Sequence, residues 1–226
     1  MGFRVDWMRS DYSRIPHWLY HDEHVYRLEM ERIFRGPLWH YLCLEAEVRA
    51  PGDFRTRTIC GRPIIFCRGT DGAVRAFLNA CTHRAATVCR EPAGNAKRHM
   101  CFYHGWVFDA DGNLVIVPGK ESYPPSFDQS KFGLRSVPRL ESYRDFWFMN
   151  LDPDAPSLRD YLGKATEYLD LVVDQSPSGQ MEVVSGVQEY DVAANWKLMV
   201  ENSVDDYHLP ATHATWLAYM ANSGVK

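Results

Sequence analysis

Apolar positions in residues 21–34 recur at helical spacing. Tyr26, Met30, Ile33 and Phe34 fall on one face, and Asp22 and Glu23 stand at the front, where acidic side chains suit a helix dipole. This predicts a helix lying on another element. From Trp39 the rhythm changes to short apolar runs, HYLCLEAEV, FRTRTI, IIFCR and AVRAFLNA, separated by Pro51-Gly52-Asp53, the Cys60-Gly61 turn and Asp71-Gly72. Turn residues set between apolar runs in this way predict antiparallel strands joined as hairpins. Another hairpin is predicted at VFDADGNLVIV, turning on Asp111-Gly112, and a last strand at DFWFMNL.

After residue 155 the period returns to helical. Ser157 is placed to cap, Asp160 stands three residues on, and Leu158, Tyr161, Leu162, Ala165, Tyr168, Leu169 and Val172 form one apolar stripe. QSPSG, residues 175–179, reads as a linker, MEVVSGVQEYDV as a strand or two, and NWKLMVENSVDDYHL as a further helix. The fold class expected is α+β, with an antiparallel β domain over residues 38–155, a helical segment over 1–37 before it and a second domain over 156–226.

The chain of 226 residues is 46% hydrophobic, enough to bury a sizeable core. A net charge of −4 without a Lys/Arg-rich run gives no nucleic-acid footprint, and no apolar run approaches a membrane span. The polar start lacks a signal-peptide pattern, so a cytoplasmic protein is expected, in a compartment that keeps thiols reduced. Six cysteines therefore point to metal or catalytic use before disulfides.

Two short pairs stand out: Cys81-Thr82-His83, then Cys101-Phe102-Tyr103-His104. Each can present a thiolate and an imidazole from one loop tip. Zinc accepts two of each in a tetrahedral site, and a [2Fe-2S] cluster accepts both thiolates on one iron and both imidazoles on the other. Composition leaves both open, although zinc fingers usually pair Cys with Cys and His with His along the chain. Cys89 and His99, between the pairs, read as a buried thiol and a surface imidazole. Cys43, Cys60 and Cys67 read as small apolar residues in or beside strands.

Downstream, NWKLMVENSVDDYHLPATH places Asn202, then Asp205 or Asp206, then His208 or Leu209 on neighbouring rungs of a helix, so an asparagine, a carboxylate and an imidazole can share one face. Pro210 is expected to end or bend that helix and let His213 turn back toward His208. Two imidazoles and a carboxylate with open positions suit non-haem Fe(II).

CTHR followed by CFYHGW resembles the cluster-binding signature of Rieske proteins, and Asn195 to His213 resembles the iron-binding signature of Rieske non-haem iron oxygenases, the alpha subunits of ring-hydroxylating dioxygenases. Phe102 stands where the first signature often has proline. The resemblance implies that Cys81 and Cys101 hold one iron and His83 and His104 the other, with Arg84 and Trp106 bracing the loops. It implies His208 and His213 as mononuclear iron ligands, Asp205 as the carboxylate linking a cluster histidine of one subunit to an iron-ligand histidine of the next, and Asn202 and Tyr207 as lesser positions near the iron. The third ligand would be an aspartate beyond Lys226, in a catalytic domain of helix-grip (START-like) type whose start is residues 156–226, with segment 1–37 packed on it.

The function implied is a terminal oxygenase component. It takes electrons originating in NAD(P)H from a reductase or ferredoxin and uses O2 to hydroxylate an aromatic ring. The RIPHWLY and YLCLEAEV stretches look most like large subunits acting on aromatic acids. A homotrimer or an α3β3 assembly is implied, with no nucleic-acid or membrane partner. Monooxygenation or O- or N-demethylation is the alternative within the class. A Rieske electron carrier and a zinc-binding module are the rivals outside it.

Overall fold

The computed structural model describes residues 15–184 and 190–224. The chain divides into two compact units, one of residues 27–185 and one that joins residues 1–26 to residues 186–226.

The larger unit is built from three antiparallel sheets. The first has the order β1-β10-β9, from His40–Leu44, Phe146–Asn150 and Arg139–Tyr143. The second has the order β4-β3-β2-β5, from Val74–Leu78, Arg62–Arg68, Asp53–Ile59 and Ala93–Asn95. The third is β6-β7-β8, from Arg98–Met100, Val107–Asp109 and Leu114–Ile116. Strand β3 explains the unbroken apolar run IIFC. Successive side chains of a strand point to opposite faces, and both faces of β3 are covered. Ile64 and Phe66 enter a core with Leu42, Val48, Ala76 and Met149, while Ile65 and Cys67 enter another with Phe54, Phe77, Trp106 and Phe108. The second core lies under the loops that carry the Cys/His pairs. Burial in it pushes the Cys67 thiol up to about 12.

The strands expected from HYLCL, FRTRTI, IIFCR, AVRAFL, VFD, LVI and DFWFMN are present. Strands β5, β6 and β9 carried no alternating apolar signal. The first two have three residues each, and β9 is the largely polar RLESY.

The helix expected near residue 21 is α1, Glu23–Glu29, continued by a π-helical turn, Met30–Phe34, with Asp22 accepting from the Val25 N–H at 2.9 Å. The stripe read as one helix after Ser157 is two, α2 (Leu158–Leu162) and α3 (Ala165–Val173), because Gly163 takes a left-handed φ of 49° and breaks the run. The Ser157 cap is present, its hydroxyl accepting from the Asp160 N–H at 3.1 Å and donating to the Asp160 carboxylate at 2.6 Å. Leu158 and Val173 are buried, whereas Tyr161, Tyr168, Leu171 and Val172 are exposed. The tip of the β9–β10 hairpin, Arg144-Asp145, is left-handed at both positions, and Arg144 is tied to Asp170 of α3 at 2.7 Å and to Asp174, just after it, at 2.6 Å.

In the smaller unit a short 3-10 turn, His17–Tyr20, accompanies α4 (Trp196–Val204), α5 (Leu209–Thr212) and α6 (Ala214–Asn222). The strand expected in residues 181–192 is not formed at 181–184 or 190–192, and residues 185–189 lie outside the described ones. Helix α4 ends at Val204, well before Pro210, so Asn202, Asp205 and His208 do not share one helix as the spacing suggested. Asp205 has left the helix at φ −96° and ψ 108°, and Pro210 sits in the first turn of α5, where its missing N–H is not needed.

Candidate metal centres

The two Cys/His pairs sit on loops between strands, β4 to β5 and β6 to β7, and the two loops fold alike. In the first, Cys81 N–H donates to Ala86 O (2.8 Å) and Ala85 N–H donates to Cys81 O (2.7 Å). In the second, Cys101 N–H donates to Trp106 O (2.8 Å) and Gly105 N–H to Cys101 O (2.9 Å). Each closure needs a left-handed residue four places after the cysteine: Ala85 at φ 59° and Gly105 at φ 69°. A one-residue difference in histidine spacing is thus carried by one common turn.

The turns bury the sulfur end and leave the nitrogen end near solvent. Cys81 and Cys101 are 4% and 1% exposed, His83 is partly buried and His104 is exposed. The imidazoles meet at 4.6 Å between ring centres, crossed at 68°, and His83 lies parallel to Trp106 at 5.0 Å. Trp106 is wedged against Phe127 and Phe132, and Thr82 donates to Phe132 O at 2.6 Å. Burial raises the Cys81 thiol, which also meets the Cys101 side chain, and burial followed by the charges of His104 and Arg84 lowers His83. The lowered His83 favours the neutral imidazole that a metal takes, while the raised Cys81 thiol must give up its proton on binding one.

A fit test comes from one atom. His83 Nδ1 is buried and has no hydrogen-bond partner. Such an atom costs about 1–3 kcal/mol if left bare, and a metal bond through Nδ1 would satisfy it. The donors stand as a sulfur pair and a nitrogen pair, an arrangement that suits two irons better than one tetrahedral zinc.

Asn79 escaped the sequence reading. It is 2% exposed, its Nδ2 donates to Cys89 O at 2.6 Å, and its Oδ1 accepts from the N–H groups of Val88 and Cys89 at 3.2 and 2.9 Å, fastening the return of the first loop. Cys89 is buried, as expected. His99 is also buried, not at the surface, because β6 turns it inward edge-on to Phe54 at 5.0 Å.

In the smaller unit, His208 and His213 flank α5 with ring centres 5.3 Å apart. Asp205 Oδ1 accepts from the Tyr207 N–H at 2.7 Å and Oδ2 contacts His208 Nδ1 at 3.1 Å, and these two bonds lower the Asp205 carboxyl below its usual value. Asn202 is exposed, and Tyr207 is 94% exposed. The pair of imidazoles with an oriented ring fits the donor type that non-haem iron takes.

Comparison with known proteins matches both halves. Residues 38–142 match a Rieske [2Fe-2S] domain and residues 181–222 match a Ring hydroxylating alpha subunit (catalytic domain). The chain belongs to the alpha subunits of the ring-hydroxylating Rieske oxygenases. It is 40% identical over 203 residues to toluate 1,2-dioxygenase subunit alpha of Pseudomonas putida, a match covering 88% of this chain and 44% of that protein. With the anthranilate 1,2-dioxygenase large subunit of Acinetobacter baylyi it shares 41% identity, covering 91% of this chain and 43% of that one. The crystal structure of naphthalene 1,2-dioxygenase from Rhodococcus sp. bound to indole superposes with a TM-score of 0.84 at 41% identity, covering 90% of this chain and 46% of that chain. The chain therefore spans less than half the length of these relatives. The family uses a Rieske cluster, a mononuclear iron and electrons from a reductase or ferredoxin. Among the described residues no helix is long and apolar enough to cross a membrane.

Proposed function

We propose that the chain supplies the cluster-binding domain and the first iron-binding elements of a terminal oxygenase that hydroxylates an aromatic ring. In this reading residues 38–155 bind the cluster and residues 156–226 open the catalytic domain. One observation carries the reading: two loop-tip Cys/His pairs and a separate histidine pair beside a carboxylate occur in one chain. Cys81 and Cys101 would hold the buried end of a [2Fe-2S] cluster, and His83 and His104 its outer end. His208 and His213 would hold Fe(II), with a third ligand from beyond Lys226. Bound there, the cluster stores one electron at a potential that imidazole ligation raises to about −150 to +300 mV, and Fe(II) with open positions supplies dioxygen activation.

The chain's own residues set the terms of that chemistry. Asp205 accepts the His208 Nδ1–H, fixes the tautomer that leaves Nε2 for a metal, and makes the ring a stronger donor. Its remaining lone pairs can accept a second imidazole, which is the basis of the bridging role between a cluster histidine and an iron histidine of neighbouring subunits. Asn202 and Tyr207 are free to line the iron's surroundings. Arg84 and Arg135 line a cavity of about 300 Å³ beside Cys81 and His83, and Arg90 lies 4.7 Å over the Phe102 ring next to the second pair. Three guanidinium groups around the exposed end favour an acidic electron donor, a reductase or ferredoxin drawing on NAD(P)H. Toluate and anthranilate, named in the two relatives, are aromatic acids, and that class is the substrate proposed. The assembly proposed is a cytoplasmic ring of three such subunits, with or without a beta subunit.

The full chain, purified without oxygen, is expected to absorb visible light and, once reduced, to give an EPR signal of low average g. Colourless protein carrying zinc would sink the reading. In the complete oxygenase Asp205→Asn is expected to leave both metals bound and to slow electron transfer between them by orders of magnitude. Equal transfer rates in variant and wild type would remove the bridge.

A further inference from the structure

Tyr20 lies far from the histidine pair in sequence, and no cluster or iron signature includes it. It meets α4 at two points. Its hydroxyl donates to both oxygens of Glu201, at 3.0 and 2.9 Å, and its backbone carbonyl accepts from Asn195 Nδ2 at 3.1 Å. Asn195 is at the same time the N-cap of α4, its Oδ1 accepting from the Lys197 N–H at 3.1 Å. Asn195 and Glu201 lie six positions apart, about 9 Å along a helix that rises about 1.5 Å per residue. One tyrosine therefore spans most of the helix. The Lys197 amine, 5.9 Å from the centre of the Tyr20 ring, adds a third contact.

No residue of the helix is buried, and Leu198, Met199, Val200 and Val204 are all exposed. A nine-residue helix is short of the length at which a helix holds itself in water. Its C-terminal end leads directly into Asp205, whose two hydrogen bonds orient Tyr207 and His208. Whatever fixes the rotation and length of α4 thus fixes where the imidazole pair is presented. Burial and the neighbouring Glu201 carboxylate both raise the Tyr20 phenol, so it stays protonated and remains a donor.

We propose that Tyr20 is a positioning residue for the histidine pair: bonded to the N-cap and to Glu201, it splints α4 and so presets where Asp205 and the pair His208 and His213 are presented. This rests on the reading of that pair as an iron site. Two measurements on the full chain test it, Fe(II) affinity by competitive titration and backbone amide exchange of residues 198–204 without Fe(II). Tyr20→Phe and Glu201→Leu are each expected to weaken Fe(II) binding about tenfold and to speed that exchange by a similar factor, leaving cluster absorbance unchanged. Their combination should be no worse than either alone. Glu201→Gln keeps a carbonyl oxygen for the phenol and should retain most of the protection, whereas Glu201→Leu keeps the bulk without an acceptor and should lose it, a contrast that a simple packing role would not predict. Wild-type exchange and affinity in both Tyr20→Phe and Glu201→Leu would overturn the splint alone. A His208→Ala chain that binds Fe(II) as tightly as wild type would overturn the iron reading on which the proposal rests.

Discussion

The left-handed residue after each cysteine is the sharpest constraint on single side chains, and the two loops meet it differently. At Gly105 a Cβ would stand 3.1 Å from Pro118 Cγ at a φ of 69°. Left-handed backbone costs an L residue about 1–2 kcal/mol, so Gly105→Ala is expected to lose about that much stability and to retain its cluster poorly. Ala85 already bears the same strain at φ 59°. Ala85→Gly relieves it but gives the unfolded chain about 0.4–1 kcal/mol of extra freedom, and the two effects nearly cancel. Urea unfolding of both variants checks the contrast, and equal losses would show that the common turn does not set the loops. At this scale the candidate donors were legible, because Cys and His at close spacing announce themselves. Asn79 and Tyr20 were not, since one acts through backbone groups of a loop and the other meets Glu201 across 181 residues.

Between elements, polar side chains do the joining. Glu45, in the 3-10 turn Glu45–Glu47 after β1, accepts from Arg68 of β3 at 2.7 Å and from the Trp147 indole of β10 at 3.1 Å, so one carboxylate links two sheets. The Arg68 hydrogen bond, against the opposing effect of burial, holds the Glu45 carboxyl below its ordinary 4.5. A carboxyl lowered by folding adds stability above its unfolded value, and that stability is lost as pH falls through the folded one. The side chain is 35% exposed, and with solvent screening the link is worth about 1 kcal/mol. Glu45→Gln is expected to lose about that at pH 7 and to unfold with a shallower dependence on pH below about 4.5. Urea midpoints at pH 7 and pH 4 measure it, and identical acid slopes in variant and wild type would exclude Glu45 as the titrating link. Element boundaries were legible where burial alternates or a turn residue stands between apolar runs. They failed where a three-residue strand borrows its order from neighbours, as in β5 and β6, and where a backbone conformation breaks a stripe, as at Gly163. The end of α4 was misread because Pro210 looked like the stop, while the chain leaves the helix at Asp205, whose carboxylate caps the next turn instead.

At the scale of the molecule the two candidate metal sites belong to different units. Cys81, His83, Cys101 and His104 lie within residues 27–185, while His208 and His213 lie in the unit that contains residues 186–226. The family and both signatures were readable from residue types alone. The grouping of residues 15–26 with α4 was written in no local pattern, because contacts such as those of Tyr20 join residues 175 and 181 positions apart. This division predicts how the molecule responds to losing its cluster. Without it, two buried sulfurs and the bare His83 Nδ1 lose the partner they fit, and the loops keep the turn hydrogen bonds, the Asn79 and Thr82 bonds and the Trp106 packing. A group bound only by the native state stabilises it by about 4 kcal/mol when present at about a thousand times its dissociation constant. For a domain of this size that corresponds to a midpoint shift of roughly 10 °C. Calorimetry of the Fe(II)-free chain with and without its cluster is therefore expected to show the transition of the larger unit falling by about that amount. The smaller unit contributes none of the four cluster donors, so its transition should stay in place. A drop of the same size in both, or in neither, would mean that the cluster is not held by the two loops as described.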